Sequence, residues 1–106
     1  MFSASSVSSV SSALLTWAEI DLDAIAHNAA VLKARAGARA ELMVAVKANA
    51  YGHGAVPVSR AALEGGATRL AVHRVEEGIE LRQAGIAAPI LIMGYSLPTQ
   101  SEQVVR

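Results

Sequence analysis

Lys47 closes the apolar run Leu42-Met43-Val44-Ala45-Val46 and is followed by Ala48-Asn49-Ala50-Tyr51-Gly52-His53-Gly54. A lysine placed this way has hydrocarbon on one side and an open site on the other. A free lysine amine, with a pKa of about 10.4, is almost entirely charged at neutral pH. Desolvation or a cationic neighbour lowers that pKa, by roughly 3 to 5 units when burial is complete. The neutral amine then forms a Schiff base with an aldehyde. The competing reading is an exposed lysine just past a strand end, the ordinary fate of a lysine. The flanks favour the site. Ala48 and Ala50 leave room, and in parallel α/β folds ligands bind at the carboxyl ends of the strands.

The neighbours of Lys47 offer fewer options. Tyr51 suits either a core position or a phenol that hydrogen-bonds an anionic ligand. Gly52-His53-Gly54 ahead of a helix suggests a phosphate cradle. The dinucleotide fingerprint G-x-G-x-x-G, however, needs a third glycine where Pro57 stands, although Glu76 follows at a plausible ribose distance. No G-K-[ST] follows, which excludes a P-loop. A tight strand-to-helix turn explains the glycines in any case. His27, His53 and His73 lie on three different elements without ligand spacing, so no metal site is expected. No Ser/His/Asp or Cys/His arrangement can be built.

Composition narrows the class. The chain has 106 residues, no net formal charge and no cysteine. It is one domain by length, or part of a larger one. A balanced charge gives no reason to expect nucleic acid or an anionic membrane as partner. Disulfide and thiol chemistry are excluded, and no apolar run approaches the ~20 residues that span a bilayer. Nothing suggests secretion, so a cytoplasmic location is expected. Hydrophobic residues make up 53% of the chain, but aromatics only 4%. Alanine buries little area, so helices can pack closely around a thin core.

The elements that must position Lys47 follow from pattern. Residues 1 to 13 form a serine-rich leader that cannot offset its ordering entropy and is expected to be disordered. Leu14 to Ile20 alternates like a short strand. Asp21 or Asp23 can cap a helix carrying the stripe Leu22, Ile25, Ala29 and Leu32, ended by Gly37. Leu42 to Val46 reads as a strand covered on both faces. A helix over 55–64 follows, stopped by Gly65-Gly66. Then come a strand over 69–72, a helix over 75–84 with Ile79 on its apolar stripe, a strand over 90–93, and the start of a helix from Leu97. This βα repeat predicts a parallel sheet. It closes either as an open doubly wound sheet or as a (β/α)8 barrel, of which this chain would supply about the first three βα units preceded by one short strand. A whole barrel takes roughly 250 residues. The chain therefore reads as a piece of a larger enzyme.

The residues also carry a resemblance. Ala45-Val46-Lys47-Ala48-Asn49-Ala50-Tyr51-Gly52-His53-Gly54 resembles the pyridoxal-phosphate attachment motif of alanine racemases. Trp17-Ala18-Glu19-Ile20-Asp21-Leu22-Asp23-Ala24 with His27-Asn28, Gly66 to Val72, Glu76 to Ile86, and Pro89 to Tyr95 are similar to the same family in the same order. The likeness spans nearly everything after residue 14. Related barrel decarboxylases share A-V-K-A-N but not the Y-G-H-G that follows.

The resemblance implies the N-terminal portion, over 14–106, of a (β/α)8 barrel that a β domain follows, in a homodimer that interconverts L- and D-alanine for cell-wall supply. It implies that Lys47 holds pyridoxal 5'-phosphate as a Schiff base and also acts as one of two catalytic bases, on the D-antipode's α-hydrogen. It implies that Tyr51 hydrogen-bonds the cofactor phosphate. The second base, a tyrosine of the partner subunit, and the arginine at the pyridine nitrogen would lie beyond Arg106, so the 106 residues alone are expected not to racemise. A racemase of another amino acid such as serine, a non-catalytic cofactor-binding module and a small nucleotide-binding βα protein are the alternatives. His73 departs from the smaller or apolar residue expected at its position, and the serine-rich leader has no counterpart in the pattern.

Overall fold

A computed structural model describes residues 15–106 of the chain. The serine-rich leader expected at 1–13 lies outside the described residues. The elements run α1 (Leu22–Ala36), β1 (Met43–Ala45), α2 (Lys47–Tyr51), α3 (Ala55–Gly65), β2 (Arg69–Val72), α4 (Val75–Gln83), β3 (Ile90–Ile92), a 3-10 turn (Pro98–Gln100) and α5 (Ser101–Val104).

The three strands form one parallel sheet in the order β1-β2-β3, with Val44 beside Leu70 and Leu70 beside Ile90. Parallel neighbours need a crossover, and α3 and α4 supply it. This register sorts the side chains. Val44, Leu70, Val72, Ile90 and Ile92 share one face and join Val58, Leu81 and Ile86 in the core. Met43, Ala45, Ala71 and Leu91 share the other face. There Met43 and Leu91 remain 41% and 49% exposed. The central β2 is covered on both faces, its Leu70, Ala71 and Val72 all buried. The expectation that the strand over Leu42 to Val46 is covered on both faces does not hold for β1, which lies at an edge of the sheet with Met43 exposed.

The repeat fell where the sequence placed it, with boundaries moved by a residue or two. The strand expected over Leu14 to Ile20 is absent from described residues 15–20, which are irregular. Alternation makes a strand only where a neighbour supplies hydrogen bonds, and Leu15 is 99% exposed here. Trp17 instead donates from Nε1 to Glu19 Oε1 at 3.2 Å. The helix expected from Leu97 is shorter than anticipated, a 3-10 turn and the single turn of α5.

α1 begins at Asp21, whose carboxylate accepts from the Ala24 amide at 3.1 Å. It ends at Gly37, whose amide bonds Lys33 O and whose φ of 85° favours glycine. Its core face keeps Leu22, Ile25 and Ala29 of the expected stripe, the first two packed against the core and Ala29 buried, but Ala26 is buried as well and Leu32 is 55% exposed. Small side chains win because α1 lies almost in contact with α3. A Cβ on Gly65 would stand 2.2 Å from the carbonyl oxygen of Ala26. Similarly, α4 buries Val75, Gly78 and Leu81, with Ile79 only partly covered.

Gly65→Ala therefore tests the α1–α3 contact. Alanine is the better helix former by about 1 kcal/mol. Overpacking against backbone costs about 1–3 kcal/mol, and no side-chain change at Ala26 relieves it. A net loss of stability is expected, read as a lower urea midpoint.

Candidate functional site

Lys47 sits two residues past the carboxyl end of β1 and is half-buried. The Val46 amide still belongs to the sheet, donating to Ala71 O at 2.8 Å. The backbone then turns over. Ala48, Asn49, Ala50 and Tyr51 have φ of 51°, 56°, 54° and 58°, with ψ of 47°, 44° and 48° at the first three. α2 is thus one turn of left-handed helix. L-residues incur roughly 1–2 kcal/mol each in that conformation. Gly52 and Gly54 continue with positive φ at no such cost.

Hydrogen bonds hold the strained turn in place. The Ala50 amide donates to Val46 O at 2.9 Å, and the Gly54 amide to Asn49 O at 2.9 Å. Asn49 is among the residues that best tolerate the left-handed region. Its Oδ1 also accepts from the Ala55 amide at 2.8 Å, which caps α3 from outside the helix. His53 Nδ1 lies 3.1 Å from Ala50 O, a contact that requires the Nδ1–H tautomer. Glu77 reaches the turn from α4. Its Oε2 accepts from the Ala48 amide at 2.7 Å, while Oε1 accepts from the His73 and Arg74 amides at 2.8 and 2.7 Å.

Partial burial pushes the Glu77 carboxyl up, but the Arg74, Ala48 and His73 amides and the nearby His73 charge outweigh it. The group is held below the ordinary glutamate range. Glu41, at the amino end of the sheet, is also lowered. The cause there is Arg69, whose Nε lies 2.8 Å away, followed by the Thr68 hydroxyl.

The expected residues are placed as follows. Tyr51 ends the left-handed turn and is 60% exposed, so it is no core aromatic. Lys47 and Tyr51 open and close the same turn at the strand ends. Gly52 and Gly54 stand in the turn with φ of 88° and 98°, as the tight strand-to-helix turn requires. His73 follows β2, and Gly94 lies against it. A Cβ on Gly94 would stand 2.6 Å from His73 O and 2.7 Å from its ring. His27 is exposed on α1 and apart from this region. A cleft between α4, β3 and α5, lined by Val75, Ile79, Arg82, Ile92 and Val104 among others, touches neither Lys47 nor Tyr51. Among the described residues no helix is long and apolar enough to cross a membrane.

Two features escaped the sequence. The left-handed run has a weak signal, since alanine and tyrosine ordinarily avoid that region and Asn49 and the glycines alone hint at it. Glu77 was visible only as a first-turn acid. Its position three residues after Arg74 signals a reach back to the helix start, but not a reach to Ala48.

Two outcomes test this geometry. Asn49→Ala removes the external cap of α3 and a left-handed-tolerant side chain. A loss of about 1 kcal/mol is expected from urea unfolding. For pH, the lowered carboxylates of Glu77 and Glu41 mean that the unfolded chain takes up protons first on acidification. Their stabilisation is complete above the ordinary glutamate value of 4.5 and is lost as pH falls through the folded values. The unfolding midpoint should drop below pH 4.5, and Glu77→Gln should shallow that drop.

Comparison with known proteins accords with this geometry. The profile of the alanine racemase N-terminal domain matches residues 20–106. An alanine racemase of Desulforamulus reducens is 58% identical over 84 residues, covering 79% of this chain and 23% of that protein. One from Symbiobacterium thermophilum is 56% identical over 90 residues, 85% of this chain and 24% of that protein. The crystal structure of alanine racemase from E. faecalis superposes with a TM-score of 0.79 at 41% identity, over 81% of this chain and 23% of that one. That from Bacillus anthracis with bound L-Ala-P gives 0.72 at 46% identity, over 78% and 22%. The chain thus spans under a quarter of the length of these relatives, and over that span it belongs to the alanine racemase N-terminal domain family.

Proposed function

We propose that the chain carries the lysine-bearing part of a pyridoxal-phosphate-dependent alanine racemase, as the first βα units of a (β/α)8 barrel. The observation that carries this reading is the seating of Lys47. The half-buried Lys47 follows the carboxyl end of β1 and opens a left-handed turn in a chain 58% identical over 84 residues to an alanine racemase. The donor set fits the cofactor. Lys47 Nζ is a primary amine for the aldehyde, and the exposed phenol of Tyr51 is a hydrogen-bond donor for the phosphate.

When bound, the cofactor serves as an electron sink that acidifies the substrate's α-hydrogen. Lys47 Nζ takes up or returns that hydrogen on one face of the substrate carbon. Inversion needs a base on the other face as well. In this reading a tyrosine of a partner subunit supplies it, within a cytoplasmic homodimer that provides D-alanine for the cell wall. The left-handed turn has Lys47 and Tyr51 at its two ends, so the residues for aldehyde and phosphate are carried by one segment.

Borohydride reduction of the chain with pyridoxal phosphate should leave one pyridoxyl group on Lys47, found by peptide mass. Lys47→Ala should abolish it, while Lys33→Ala should not. A coupled assay for D-alanine should show no turnover from the 106 residues alone. Absence of a label on Lys47 sinks the cofactor assignment, and turnover without a second base sinks the two-base division.

A further inference from the structure

Glu77 is the third residue of α4, where a glutamate commonly reaches back to its own helix start. One oxygen suffices for that, and Oε1 does it by accepting from the His73 and Arg74 amides. Oε2 does something a cap does not require. It accepts at 2.7 Å from the Ala48 amide, 29 residues upstream. That N–H belongs to the peptide unit joining Lys47 to Ala48. The unit is planar, so fixing its N–H fixes the exit direction of the Lys47 backbone. It is also the entry to the left-handed run, where the backbone is most strained.

We propose that Glu77 is a positioning residue for Lys47: by clamping the Lys47–Ala48 peptide to the start of α4, it sets the direction from which the Lys47 amine meets the cofactor aldehyde. This rests on the cofactor role proposed for Lys47. A carboxylate is needed because all three partners are donors and an ionised carboxylate only accepts. Glutamine at this position keeps the helix cap through its carbonyl oxygen but turns an NH2 toward the Ala48 N–H. Glu77→Gln therefore removes the clamp while sparing the cap.

The test compares the full chain with Glu77→Gln in two measurements. Amide hydrogen exchange without cofactor should show Ala48 exchanging about tenfold faster in the variant, the equivalent of one charge-assisted hydrogen bond at the low end. Protection of the Leu81 and Arg82 amides should stay the same. Borohydride trapping at limiting pyridoxal phosphate should then need about tenfold more cofactor for equal labelling of Lys47. If Glu77→Gln loses its helical circular dichroism, Glu77→Asp carries the same test, being one methylene too short to bridge both partners. Unchanged Ala48 exchange, or equal labelling of Lys47 in variant and parent, overturns the positioning role alone. No label on Lys47 in the parent overturns the cofactor role and the positioning role together.

Discussion

Four consecutive L-residues in left-handed backbone are the constraint around which this chain is arranged. Such a run does not persist by itself, since every residue in it sits in a sparsely populated region. It persists because neighbouring elements over-determine it. β2 holds Val46 through Ala71 O, α3 takes its first amide bond from Asn49, and α4 sends Glu77 to Ala48. The strained segment is also the one that carries Lys47 and Tyr51. Rigidity at the site and strain in the backbone are two descriptions of the same feature.

The surrounding fold provides a frame stiff enough for this. β2 is central and buried on both faces, so the strand end beside Val46 has little freedom to move. α1 and α3 approach until glycine alone fits between them at Gly65. The alanine-rich composition, which limits the apolar area each residue buries, is what permits this closeness. Charge is divided between the two ends of the sheet. Glu41 accepts from Thr68 and Arg69 at the amino end, while Glu77 faces backbone amides at the carboxyl end.

Much of this was legible in the residues. The βα period, the Asp21 cap, the Gly37 stop and the position of Lys47 at a strand end all follow from local chemistry, and local chemistry is what a single sequence records. The errors share a cause. The stretch before Asp21 alternates like a strand but is irregular over the described residues 15–20, and pairing is not a local property. Ala29 and Val75 of the expected stripes are buried, but Leu32 and Ile79, which fit the same period, give way to Ala26 and Gly78, because the facing backbone also selects what fits. The left-handed turn was hidden for the same reason. Ala48, Ala50 and Tyr51 adopt it only because contacts from β2, α3 and α4 hold them there.

The bond between Glu77 and Ala48 has a consequence for the order in which the chain folds. It joins residues 29 apart, and drawing such a loop closed costs about 3 kcal/mol of chain entropy. That loss is recovered only after β2 has paired with β1 and α4 has docked. Contacts of high sequence separation form late relative to local turns and helices. The peptide that follows Lys47 is therefore held by the second βα unit rather than by the one that contains it, and a nascent chain gains this bond only after residue 77 has been added.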